Sequence, residues 1–192
     1  MRIVSLLVVS LSIWTPCFGQ DIPPLSLGGG AGQLGLIDPP NEECKGPVTV
    51  AAAPDNGIAI LDEVNHKILV VAAGKDAVDI NLPPNLIEPV DLLGTTKGYI
   101  VAGMLGQVVL LSAGGEPLAT AATAYDPERG QPRIVVSPTN EILLENLEGI
   151  RVAVELDRDQ VGEVIEPPRV CRRPQLVRSR VYDKQNDEQI FS

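Results

Sequence analysis

A repeat constrains this chain more than any other feature. Pro47, Pro89 and Pro132 each open a series of short apolar segments, and the three prolines lie 42 and 43 residues apart. In the first unit Pro47-Val48-Thr49-Val50 leads through the turn Pro54-Asp55-Asn56-Gly57 to Ile58-Ala59-Ile60-Leu61. A second turn over 63–67 leads to Ile68-Leu69-Val70-Val71, and a last segment alternates, with Val78, Ile80 and Leu82 on one face and Asp79 and Asn81 on the other. The second unit runs from Pro89-Val90-Asp91-Leu92 through Tyr99-Ile100-Val101 and Val108-Val109-Leu110-Leu111 to Leu118-Ala119-Thr120. The third runs from Pro132-Arg133-Ile134-Val135-Val136 through Ile142-Leu143-Leu144 and Val152-Ala153-Val154 to a segment over 161–165, entered by a turn over 157–160. Apolar runs this short, bounded by Gly, Asn, Asp and Pro and lacking a 3.6-residue period, read as strands.

A repeat of about forty residues made of four short strands is the sequence sign of a β-propeller blade. The expected fold class is therefore all-β: three four-stranded blade-like repeats over 46–165, forming a partial or dimer-completed β-propeller. Propellers close with about four to eight blades, and three would leave two apolar sheet faces bare. Two chains could join as a six-blade ring, the flanking segments could cover the faces, or the chain could be a shortened relative of a longer propeller. The placement of Cys44 and Cys171 on either side of the repeats favours the second arrangement.

The first unit also resembles a named family. Gly46 through Val71, with Pro54-Asp55-Asn56-Gly57, Leu61-Asp62 and Asn65-His66-Lys67-Ile68, looks like an NHL-type propeller repeat. The resemblance implies a propeller-like fold and assigns no activity. The later units depart from the pattern: Gly103 and Glu145 stand where Asp62 does, and neither unit keeps the Asn-His-Lys turn. Asn56 and Gly57 are expected to supply the positive φ of a tight turn. Asp62 and Asn65 are expected to bond backbone amides of their own turn, which makes these four residues structural.

The flanks differ from the repeats. Residues 1–19 have the layout of a Sec-type signal peptide: Arg2, an apolar run over 3–13, and small residues before a cut at Gln20. The run is too short to cross a bilayer. Lipidation at Cys17 is the rival, and Trp14-Thr15-Pro16 is a poor approach to it. No later stretch is long and apolar enough for a transmembrane segment, so the expected location is periplasmic or extracellular. Residues 20–45 form a Pro/Gly-rich leader, with Pro23-Pro24, Gly28-Gly29-Gly30 and Pro39-Pro40. In an oxidising compartment Cys44 and Cys171 would form one disulfide, stabilising by about 5 kcal/mol in the chain-entropy picture; two separately packed thiols are the other possibility. Residues 166–192 form a basic tail with six bases against four acids, whereas 20–165 holds eight bases against twenty-one acids. Such a tail could dock on the body, with Leu176-Val177 and Val181-Tyr182 adding a strand, or reach an acidic partner or anionic surface.

Composition excludes several chemistries. Beyond residue 19 the aromatics are Tyr99, Tyr125, Tyr182 and Phe191, too few for base-stacking platforms or most carbohydrate sites, and nucleic acid is not an expected partner. His66 is the sole histidine, which rules out a multi-histidine metal site. No Gly-x-Ser-x-Gly elbow is present, and the glycine run at 28–32 lacks the strand and Lys-Ser/Thr of a phosphate loop. Glu155, Asp157 and Asp159 fall short of a calcium loop, with Val161 at its fifth position and no Glu at its twelfth. No catalytic residue, metal ligand or cofactor is therefore assigned. The expected function is a secreted noncatalytic protein-binding or scaffold module that meets a protein partner or a second copy of itself. The alternative is a propeller-type hydrolase or lyase using a divalent metal held by carboxylates.

Overall fold

The computed structural model describes residues 25–37 and 45–165. The expected signal peptide, the basic tail and both cysteines of the expected disulfide, Cys44 and Cys171, lie outside the described residues.

The leader supplies a short parallel pair, β1 (Ser26–Leu27) and β2 (Gln33–Leu34). Blade 1 follows as an antiparallel sheet in chain order: β3 (Pro47–Ala52), β4 (Ile58–Asp62), β5 (Lys67–Val71) and β6 (Val78–Asn81). Blade 2 repeats it with β7 (Pro89–Thr95), β8 (Gly98–Gly103), β9 (Gln107–Ser112) and β10 (Pro117–Ala122). Blade 3 holds β11 (Arg133–Val136), β12 (Ile142–Glu145) and β13 (Arg151–Ala153). β3 packs beside β7 and β7 beside β11, so the first strand of each repeat borders a shared axis. The fold is all-β and propeller-like, with one short α-helix among the described residues, α1 (Arg158–Val161).

The three repeats share backbone shape where they share no sequence. The turn between second and third strands ends in the left-handed region each time, at His66 (φ 52°), Gly106 (φ 75°) and Gly149 (φ 79°). Each of these residues donates its N–H to the carbonyl three positions earlier, on Glu63, Gly103 and Asn146. Glycine enters that region without steric cost, so two repeats use it. Asn56 does take a positive φ, 59°, as Asn140 does at 60° in blade 3. Gly57 does not: its φ is −82°. It is glycine because a Cβ there would stand 2.9 Å from the Val71 carbonyl oxygen.

Period-two alternation divides the core into layers. Ala59, Leu61 and Ile68 of blade 1 meet Tyr99, Val101, Val109 and Leu111 of blade 2. The other face of blade 2, with Ile100, Ala102, Val108 and Leu110, meets Ile142 and Leu144 of blade 3. A sheet covered on both faces needs an unbroken apolar run rather than alternation, and every residue of β8 is buried. The remaining face of blade 1 is not bare. Leu25 and Leu34 of the leader pack against Ile58, Ile60, Leu69 and Val71, which is the face a two-chain ring would need.

Among the described residues blade 3 has three paired strands where four are expected. Its fourth segment, 161–165, does not pair with β13. Asp157 caps a helical turn instead, its carboxylate accepting from Asp159 N–H at 2.9 Å while its carbonyl accepts from Gln160 and Val161. An aspartate two residues before the donor is a cap signal as much as a hairpin signal. The turn carries Val161 into the core between blades 2 and 3, and the chain then crosses to β7. Val164 bridges Thr95, and Ile165 N–H donates to the Gly94 carbonyl at 3.0 Å.

Candidate functional site

Three places gather polar or exposed groups that the core does not explain. The first is a clasp between the leader and blade 1. Asp62 closes β4 fully buried, with one carboxylate oxygen accepting from Gly35 N–H at 2.8 Å and the Asn65 side chain at 2.9 Å. Its other oxygen accepts from Asn65 N–H at 3.1 Å. The Asn65 side chain also donates to the Gly28 carbonyl at 2.9 Å. Lys67 is buried beneath the glycine run, 3.0 Å from the Asp79 carboxylate and 3.3 Å from the Gly30 carbonyl. Asp79 in turn accepts from Gly32 N–H at 3.1 Å. Asp62 thus bonds a backbone amide of its own turn as expected, whereas the Asn65 side chain bonds the Asp62 carboxylate and the Gly28 carbonyl instead of a turn amide, and the two together hold a segment about thirty residues earlier in the chain. His66 stands at the rim, its Nε2 3.1 Å from the Pro83 carbonyl.

The second place is the axis. Asp91 occupies the position two residues after Pro89 that Thr49 and Ile134 occupy after Pro47 and Pro132. Its carboxylate accepts from Ile134 N–H at 2.7 Å, joining blade 2 to blade 3, and the Thr49 hydroxyl bonds it from blade 1. Burial pushes the Asp91 carboxyl above its ordinary value; bonds from Ile134 and Leu92, the Arg133 charge and the Thr49 hydroxyl oppose the rise. Its ionised form is therefore held less well in the folded than in the unfolded chain. The stabilising contribution of this group is present below the unfolded value and is lost as pH rises through the folded one. Asp91→Asn is expected to gain stability relative to the parent on going from pH 4 to pH 7, measured as the difference of the two melting temperatures at each pH. A variant-minus-parent difference that falls on going from pH 4 to pH 7 would show that the opposing bonds outweigh burial.

The third place is the end of the blades where the turns between second and third strands emerge. Leu147 at one turn tip is 79% exposed, and Leu105, at the matching tip of blade 2, is half-exposed. Ile87, whose N–H donates to the Gln107 side chain beside that turn, and Ile150 at the start of the third hairpin's return are half-exposed as well. Between the two tips Tyr125 stands against Gly106 and donates its hydroxyl to the Gly130 carbonyl at 2.7 Å, and Leu147 lies against Gly130. Arg129 pairs with Asp126 and Glu148 at 3.1 Å each along the rim. The first tip differs: Val64 packs under the leader at Gly35.

Among the described residues no three His, Cys, Asp or Glu side chains are grouped so as to hold a metal ion. The Asp157 carboxylate is used in its own turn, while Gly103, in the place of Asp62, is crowded by the Ile87 carbonyl oxygen, 2.6 Å from where a Cβ would stand. A shallow cleft of about 360 Å³ lies at the opposite end of blade 3, between Asn140, Val154, Leu156 and Val161. No described helix is long and apolar enough to cross a membrane.

No family model matches the chain, and no curated protein sequence matches it. Among solved structures it is similar to one described as the streptogramin B lyase structure, at 14% identity and a TM-score of 0.44. The likeness covers 59% of this chain and 42% of that one, so the chain spans less than half the length of that structure.

Proposed function

We propose that this chain is a secreted, noncatalytic protein-binding or scaffold module built on NHL-like blade repeats, and that it meets its partner at the end bearing the exposed turn tips. The observation that carries this reading is the row of apolar side chains there: Ile87, Leu105, Leu147 and Ile150. Loops on the surface carry recognition more freely than the strands they connect, and apolar residues gathered on one end mark an interaction surface. The rim pairs of Arg129 fit the polar border that surrounds the apolar centre of a protein interface. The layout of residues 1–19 supports export to the periplasm or cell exterior.

Replacing both Leu105 and Leu147 with Asp tests the reading, because neither side chain belongs to the buried core. The full chain and the variant would be expressed in the source cells and cross-linked there. The variant is expected to lose a protein bound by the parent, with at least about a tenfold drop in recovery, while its melting temperature stays within about 2 °C. A partner recovered equally by both proteins would remove this surface from consideration.

A further inference from the structure

Among the described residues blade 3 has one strand fewer than the other two blades. The third strands β5 and β9 each pair outward with a fourth, β6 and β10, whereas β13 ends its sheet among the described residues. The chain leaves β13, turns through α1 and reaches β7 at the axis, so no described residue covers the outer edge of β13. That edge is followed by the exposed acids Glu155, Asp157 and Asp159. The stretch 140–165 holds two bases against seven acids. An open edge is a template for another strand, and its acidic surroundings favour a basic one.

The 27 residues after Ile165 include such a segment. Leu176–Tyr182 carries Arg178 and Arg180 and no acid, and it alternates, with Val177 and Val181 two positions on either side of Ser179 and with Leu176, Arg178, Arg180 and Tyr182 on the other phase. Its seven residues compare with four in β6 and six in β10. Ten residues separate it from Ile165, enough to span about 33 Å; crossing a four-stranded sheet takes roughly 15 Å. We infer that Leu176–Tyr182 pairs with the outer edge of β13 as the fourth strand of blade 3, with Arg178 and Arg180 beside the acidic rim.

Hydrogen exchange on the full chain, read peptide by peptide at two protein concentrations, tests this. Amides of 176–182 are expected to exchange at least about tenfold more slowly than those of 184–192. In the variant Arg178→Glu/Arg180→Glu, protection of 176–182 and of Arg151–Ala153 is expected to fall by a similar factor, while β4 and β5 keep theirs and so report an intact fold. Equal exchange in 176–182 and 184–192 would overturn the proposal, as would protection that survives the charge reversal. Protection that appears only at the higher concentration, together with a dimeric mass, would assign the edge to a second copy and overturn it too.

Discussion

Asp62→Ala should unfold about 10 °C below the parent and expose the leader to proteases before the rest of the chain unfolds. The carboxylate of Asp62 is buried and takes three hydrogen bonds, from Gly35, from Asn65 N–H and from the Asn65 side chain. Removing it leaves those donors without their acceptor in a dry site. A buried group so stranded costs about 1–3 kcal/mol, and the Asn65 bond to the Gly28 carbonyl loses its support at the same time. We expect a total of about 3 kcal/mol, which for a chain of this size corresponds to the stated shift. Release of the leader would also uncover Ile60, Leu69 and Val71. Thermal unfolding and limited proteolysis mapped by mass spectrometry read the two effects separately. An intact leader in a destabilised variant would mean that Asp62 acts only within its own turn.

Gly94→Ala is expected to be at least as damaging, for a different reason. The φ of Gly94 is not in the left-handed region, so alanine would lose nothing in backbone preference. The obstacle is space: a Cβ at Gly94 would overlap the Ala52 carbonyl oxygen, where β3 of blade 1 and β7 of blade 2 come together at the axis. Backbone cannot swing aside as a side chain can, so the blades must separate, at a cost of at least about 3 kcal/mol. Gly74→Ala is the matched comparison. Gly74 has φ 66° but nothing within 4 Å of its would-be Cβ, and the substitution should cost only about 1 kcal/mol. Urea midpoints of the two variants measure the difference. Similar midpoints would mean that the inner strands approach less closely than the structure has them.

The two antiparallel four-stranded sheets were legible because their turn chemistry is local. Asn56, Gly98, Gly106, Gly115, Asn140 and Gly149 mark chain reversals by their own conformational preferences, and each takes a positive φ. The missing strand of blade 3 was not legible. Val161 and Ile165 have strand-like composition, and only the fit of Val161 into the core between blades 2 and 3 decides that Asp157 starts a helical turn. The leader clasp was hidden for a related reason. Leu25 and Leu34 are isolated apolar residues in a Pro/Gly-rich stretch, and nothing near them in sequence says that they face Ile60 and Leu69. Asp91 was overlooked although its position was visible: a single acid in an apolar first strand, aligned with Thr49 and Ile134 by the repeat itself. The partners that give it meaning lie about forty residues away on either side, on the neighbouring blades.

The crossing of residues 163–165 to β7 sets the order in which the blades can be finished during synthesis. Thr96 N–H donates to the Glu163 carbonyl at 2.7 Å, and the Gly94 carbonyl takes its bond from Ile165. Those partners are separated by about seventy residues, so the inner edge of blade 2 waits until the whole of β11, β12 and β13 has been made. Blade 1 has no such wait, since the leader that covers it is already present when β4 and β5 appear. Contacts of this separation are slow to close because the intervening chain must first be ordered. The middle blade, covered on both faces in the finished protein, is thus sealed only after the three strands of blade 3 have been made, and a chain stopped before residue 163 would present β7 as a ready edge to chaperones or to its own copies.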